Sequence, residues 1–164
     1  MGQLRATSLA LLAAAALASA RPALADPEPP RHRGPILLSV AACSPVENIP
    51  LDHVRRVFSG DSRDFTVLNL PPGTSERIAV DLVLLGRLPR DVARYWIERK
   101  IRGQGGPPRV VASARLVTRI VARVPGTIGY VASGPLPPDV KAVRIDGLAH
   151  TDPRYPLMLR RRWR

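Results

Sequence analysis

The side chains best suited to acid–base catalysis or metal binding are few in this sequence, and they are scattered along it. No histidine has a cysteine or carboxylate partner at metal-ligand spacing, so the sequence shows no zinc pattern. Asp52 directly precedes His53, but this pair is more typical of a solvated helix start than of a catalytic dyad. No Ser-His-Asp or Cys-His set is recognisable, which indicates a non-enzyme with no cofactor. The histidines are His32, His53 and His150.

Three other features could carry chemistry, and each has a simpler structural interpretation. Cys43 ends the apolar run 36–42, which favours a buried thiol, and a single cysteine cannot form an intramolecular disulfide. The glycine-rich segment 103–106 lacks the Lys-Ser/Thr of a phosphate loop and precedes a predicted strand, so we interpret it as a connector. Tyr95 and Trp96 could stack on a ligand, but on a helix such residues more often fill the core or a groove.

Arginine supplies nearly all of the positive charge, since the formal net charge is +12 and lysine occurs only at Lys100 and Lys141. This bias is typical of a GC-rich genome, so we do not take it as a sign of nucleic-acid binding. Arg115, Arg119 and Arg123 recur every four residues on one predicted helix, and we call them the Arg stripe. The stripe is either a solvated helix face or a docking surface for an acidic partner or an anionic envelope polymer.

The N-terminus has the order of a secretory signal. Arg5 precedes an apolar run from Leu9 to Ala20, and Ala23-Leu24-Ala25 provides small residues at a cleavage site. The run is shorter than the roughly 20 residues of a membrane-spanning helix, which favours cleavage over an uncleaved anchor. We therefore predict a signal peptide over 1–25 and a periplasmic mature chain that does not span the membrane.

Hydrophobic periodicity and capping residues predict strands that alternate with helices beyond the signal peptide. Such alternation predicts an α/β fold with a mostly parallel sheet covered on both faces. A flexible Pro-rich lead-in is expected over 26–35, one domain over 36–146, and a loose basic extension over 147–164. The predicted strands are 36–42, 65–70, 109–112, 127–132 and 141–145, and the predicted helices are 51–58, 76–85, 89–101 and 113–124.

The order of the motifs resembles the phosphate-binding-protein family of the phosphate ABC importer, in a short form. The resemblance covers about residues 36 to 145, and the Pro-Gly-x-Ile-Gly-Tyr-Val run at 125–131 is its most specific part. It implies a single three-layer lobe of the periplasmic-binding-protein type 2 fold, corresponding to the second of the two lobes that close on phosphate in full-length members. The other motifs are 51–60, 70–75, Tyr95-Trp96 and the loop 103–106.

The resemblance also implies an anion site. The family's Ser-Gly-Thr turn, which holds phosphate oxygens at a helix start, aligns here with Thr74, Ser75 and Glu76. Free backbone N–H groups at a helix start attract anions, and Gly73 would allow close approach. Arg77 could serve as the cation. The alternative interpretation is an ordinary N-cap, in which Thr74 or Ser75 bonds the amides of the first turn.

Two departures from the family pattern predict weak or lost phosphate binding. Leu70 stands where the family has an arginine, and Glu76 replaces a hydroxyl residue and would repel phosphate. The function implied is that of an exported solute-binding or accessory protein. Its expected partners are inorganic phosphate or another small anion, and a membrane permease or envelope complex. A basic module that binds envelope polymers or other polyanions is the alternative.

Overall fold

The computed structural model describes residues 34–159, which form one α/β lobe. The predicted signal peptide 1–25, most of the predicted lead-in 26–35 and the last five residues of the predicted extension lie outside the described residues. The elements are β1 (Gly34–Ala41), β2 (Asn48–Ile49), α1 (Leu51–Ser59), β3 (Thr66–Asn69), α2 (Ser75–Val80) with a π-helical continuation (Asp81–Leu85), α3 (Pro89–Ile101), β4 (Arg109–Val110), α4 (Ala114–Arg123), β5 (Thr127–Ala132), β6 (Val140–Ala142), β7 (Arg144–Ile145) and β8 (Met158–Leu159).

The main sheet has six strands in the order β4-β3-β5-β1-β6, and β8 pairs with the first residues of β1. β3 is parallel to both β4 and β5, whereas β1 is antiparallel to β5, β6 and β8. Five of the six strands therefore point in one direction, and β1 runs against them. The short strands β2 and β7 form a separate parallel pair.

Helices cover both faces of the sheet, as the β5 residues Gly129 and Tyr130 show. Neighbouring residues of a strand point to opposite faces. A Cβ on Gly129 would lie 2.5 Å from Cγ1 of Val117, so α4 packs closely on that face. The ring of Tyr130 contacts Phe58 of α1 on the other face, with 6.0 Å between the ring centroids. The predicted three-layer α/β class is confirmed.

Local signals placed the helix ends correctly. Gly60 ends α1 with a φ of 79°, the left-handed conformation that glycine adopts without strain. Ser113 is the N-cap of α4, where its hydroxyl accepts a hydrogen bond from the Leu116 N–H at 3.3 Å. No helix among residues 34–159 is long and apolar enough to cross a membrane.

Four sequence-based expectations were wrong. The segment 141–145 is not one strand, because β6 pairs with β1 whereas β7 pairs with β2. The lead-in ends earlier than expected, since Pro35 already pairs with Met158. Cys43 is exposed because it lies in the turn after β1. The extension from residue 147 is not loose up to residue 159: it returns to the sheet as β8 and buries three apolar side chains, Tyr155, Leu157 and Leu159.

Candidate anion-binding turn

The turn 70–74 joins the carboxyl end of β3 to the start of α2. β3 lies between the parallel strands β4 and β5, so the turn sits at the edge of the sheet where these strands end. Ligands of open α/β sheets bind outside the carboxyl ends of the strands. The start of α4 follows β4 at the same edge, so two helix N-termini lie on the side of the sheet that such ligands use.

A buried hydroxyl fixes the first residue of this turn. The Tyr130 hydroxyl donates a hydrogen bond to the Asn69 side-chain oxygen and accepts one from the Leu70 N–H at 3.2 Å. Tyr130 and Asn69 are both fully enclosed. Burial raises the pKa of the Tyr130 phenol, so the hydroxyl stays neutral and available as a donor. The point at which the chain leaves β3 is therefore anchored to β5.

The helix start itself has no side-chain cap. Thr74 occupies the N-cap position, but its hydroxyl donates to the Pro71 carbonyl at 3.0 Å instead of accepting from the helix amides. The Ser75 hydroxyl is buried and makes no hydrogen bond within residues 34–159. The ordinary N-cap that we considered from the sequence is therefore not formed at this helix.

Three backbone donors at this start have no hydrogen-bond acceptor among residues 34–159. The first helical hydrogen bond runs from the Ile78 N–H to the Thr74 carbonyl at 3.0 Å. The N–H groups of Ser75, Glu76 and Arg77 precede it, as the first amides of every helix do, and they have no acceptor among the described residues. Gly73 has a φ of 89°, and no atom lies within 4 Å of where its Cβ would be, so the turn is open on that side.

Arg77 does not point freely toward this turn. Its Nε donates to the Asp81 carboxylate at 2.6 Å, and one terminal nitrogen donates to the Leu70 carbonyl at 3.2 Å. Both side chains of the ion pair are buried. Burial raises the pKa of Asp81, and the attraction of Arg77 opposes this only in part. Arg77 thus ties α2 to the end of β3, and its charge is already balanced.

The other residues considered from the sequence have structural roles. Asp52 pairs with Arg55 at 2.9 Å, while His53 contacts Asp64 at 3.0 Å, so no Asp52–His53 dyad forms. No group of three His, Cys, Asp or Glu side chains among residues 34–159 could hold a metal ion. Tyr95, Trp96 and the loop 103–106 also have structural roles. The Tyr95 hydroxyl donates to the Ser59 carbonyl at 3.2 Å, and Trp96 is buried. In the loop, the Gln104 carbonyl accepts a hydrogen bond from Arg99 at 3.1 Å.

Solved structures of phosphate receptors share this fold. The chain aligns with a phosphate ABC transporter substrate-binding protein from Clostridium perfringens, solved with bound phosphate, at a TM-score of 0.60 and 16% identity, covering 73% of this chain and 48% of that one. For an ABC-type phosphate transport receptor from Vibrio cholerae the TM-score is 0.58 at 14% identity, with 73% and 49% coverage. For PstS from Borrelia burgdorferi the TM-score is 0.60 at 12% identity, and the alignment covers 77% of this chain and 55% of that one.

The lobe has a phosphate-receptor fold. The resemblance stated from the motifs is therefore confirmed at the level of the fold. The chain spans about half the length of these receptors. The sequence matches no family model and no curated protein.

Proposed function

We propose that this protein is an exported, non-enzymatic solute-binding or accessory protein that binds phosphate or another small anion weakly at the turn Gly73-Thr74-Ser75. The observation that supports this most is the uncapped start of α2, where three adjacent N–H groups have no acceptor within residues 34–159. Backbone donors at a helix N-terminus bind anions through hydrogen bonds and the helix dipole together. The phosphate-receptor fold and the position at the carboxyl ends of the strands agree with this site.

Weak binding follows from the charges around the turn. Arg77 is paired with Asp81, so it contributes no net positive charge. Glu76 adds a negative charge in the first turn of α2. An anion at the turn would therefore rely on backbone donors, which individually stabilise a charged acceptor by about 1.5–3 kcal/mol. A permease in the membrane is the partner that the receptors with this fold suggest.

Ser75→Pro tests the site directly. Ser75 is the first residue of α2, where proline is favoured in helices. The change removes the backbone N–H together with the unpartnered side-chain hydroxyl, and Ser75→Ala, which removes the hydroxyl alone, separates the two effects. Thr74 has a φ of −70° and a ψ of 144°, which suit a residue that precedes proline. We expect calorimetry to show phosphate binding weakened about tenfold, since one charge-assisted hydrogen bond is lost.

Ala114→Pro is the matched control, because Ala114 holds the same first position in α4 after an extended Ser113. Its phosphate affinity should equal that of the wild type. Equal affinity of Ser75→Pro and the wild type would place phosphate binding away from the turn. Export is tested separately: N-terminal sequencing of the periplasmic form should begin at Asp26, and an intact Met1 would contradict cleavage.

One observation favours binding to envelope polyanions as a second candidate function. All three guanidinium groups of the Arg stripe are exposed on α4, and none has a carboxylate within 4.0 Å in the described part of the chain. Leu116, at 37% exposure, lies beside them. Unpaired arginines attract anionic polymers through a field that salt screens over about 8–10 Å.

A further inference from the structure

A largely apolar groove lies between α2, α3 and the segment that leads into β4. Its volume is about 480 Å³, which is within the range of small-molecule sites, roughly 300–1,000 Å³. Its apolar lining includes Ile78, Val92, Trp96 and Val110. Gly73 and Arg77 of the candidate anion site form part of its lining, whereas Thr74, Ser75 and Glu76 do not line it.

The walls of this groove expose large apolar side chains to solvent. Ile97 is 60% exposed and Val110 is 52% exposed, and both line the groove. One turn along α3, Ile101 is 80% exposed. Contiguous exposed apolar surface of this kind marks a binding site more often than a single exposed apolar residue does. A ligand with an apolar body would cover these side chains.

The charges in the groove leave a single positive group. Arg77 and Asp81 both line it, but they neutralise each other at 2.6 Å. Lys100 also lines the groove, is exposed, and has no carboxylate within 4.0 Å among residues 34–159. One unpaired ammonium beside a buried carboxylate suits a singly charged anion better than a dianion such as phosphate.

We propose that this groove binds a small organic monocarboxylate with an aliphatic or aromatic body. The apolar body packs against Val92, Trp96 and Val110, and the carboxylate pairs with the Lys100 ammonium. A volume of about 480 Å³ accommodates one short chain together with its carboxylate. The inference does not depend on phosphate binding at the turn, because α3 and not the α2 start supplies the charge.

Octanoate is a suitable probe of the groove. Acetate and octanol are the control compounds, because acetate lacks the apolar body of octanoate and octanol lacks its charge. In a Trp163→Phe variant, Trp96 is the remaining tryptophan and reports on the groove wall. We expect a saturable change of its emission with octanoate. Acetate and octanol should each bind about tenfold more weakly or worse, because each lacks either the buried apolar area or the ion pair. Sodium phosphate at matched ionic strength should not displace octanoate.

Substitutions at neighbouring positions of α3 separate binding from folding. Ala93 lines the groove and is exposed, so Ala93→Phe should fill the groove and abolish octanoate binding. Arg94 is exposed and does not line the groove, so Arg94→Phe should bind octanoate like the wild type. Lys100→Gln should bind octanoate about as weakly as the wild type binds octanol.

Several results would overturn the proposal. Absence of octanoate binding at millimolar concentration would do so, as would unchanged binding in Ala93→Phe or equal affinity for octanol and octanoate. Displacement by phosphate would show one shared anion site instead of two. Self-association that Ala93→Phe abolishes and octanoate does not reverse would show that a second copy of the chain covers the groove.

Discussion

Removal of the Tyr130 hydroxyl should destabilise the lobe by about 2–4 kcal/mol. The hydroxyl satisfies two buried groups, the Asn69 side-chain oxygen and the Leu70 N–H, and neither can reach solvent because the surrounding residues are enclosed. Each buried polar group that loses its partner costs about 1–3 kcal/mol. Phenylalanine retains the ring that packs on Phe58, so the loss of packing in Tyr130→Phe is small.

Equilibrium unfolding in urea, followed by circular dichroism, measures this cost. Tyr95→Phe is the control, because at a half-buried site it removes the hydrogen bond to the Ser59 carbonyl at 3.2 Å and a long one from Arg99 at 3.5 Å, and it should cost about 0.5–1.5 kcal/mol. The double variant Tyr130→Phe/Asn69→Leu should cost less than the two single changes added, since it removes both partners of one bond. A cost for Tyr130→Phe below about 0.5 kcal/mol, or fully additive costs of the two single variants, would show that the Tyr130 hydroxyl does not satisfy these two buried groups.

Three further predictions concern other parts of the lobe. Burial raises the pKa of Asp81 above 3.8, so Asp81 stabilises the fold while it is protonated, and this stabilisation is lost as the pH rises through the folded-state pKa. The unfolding free energy of the wild type minus that of Asp81→Asn should therefore fall as the pH rises from below 3.8, and an increase of this difference would contradict the prediction. Gly129→Ala should destabilise by about 1–3 kcal/mol in a thermal melt, whereas Gly134→Ala, with no atom within 4 Å, should have little effect. Replacing the Arg stripe with glutamine should lower the salt needed for elution from heparin if the stripe binds polyanions, and co-elution with the wild type would show a solvated face.

Local signals in the sequence predicted most of the helices and the long strands. Gly60 and Ser113 marked helix boundaries because a left-handed residue and a hydroxyl cap act within one turn of the chain. β8 was missed even though Tyr155, Leu157 and Leu159 alternate with other residues as a half-buried strand does. The partner of that short segment is β1, more than a hundred residues away, and no local signal indicates such a pairing.

The helix start at Ser75 was predicted from the sequence, but the side-chain contacts around it were not. Hydroxyl residues after a glycine indicated a helix start, and the structure places one there. The spacing of Arg77 and Asp81 allows a pair on one helix face, but their burial depends on the whole fold. The bond from Thr74 to Pro71, which leaves the helix start uncapped, depends on the backbone of the turn and could not be read from residue types.

Amide chemical shifts show directly whether the amides at the start of α2, which have no acceptor among residues 34–159, bind an anion. Sodium phosphate is added to ¹⁵N-labelled protein at constant ionic strength while the amide signals are followed by NMR. We expect saturable shifts at Ser75, Glu76 and Arg77, with much smaller shifts at the capped start of α4. Equal shifts at the two helix starts, or saturable shifts confined to other parts of the chain, would contradict this expectation.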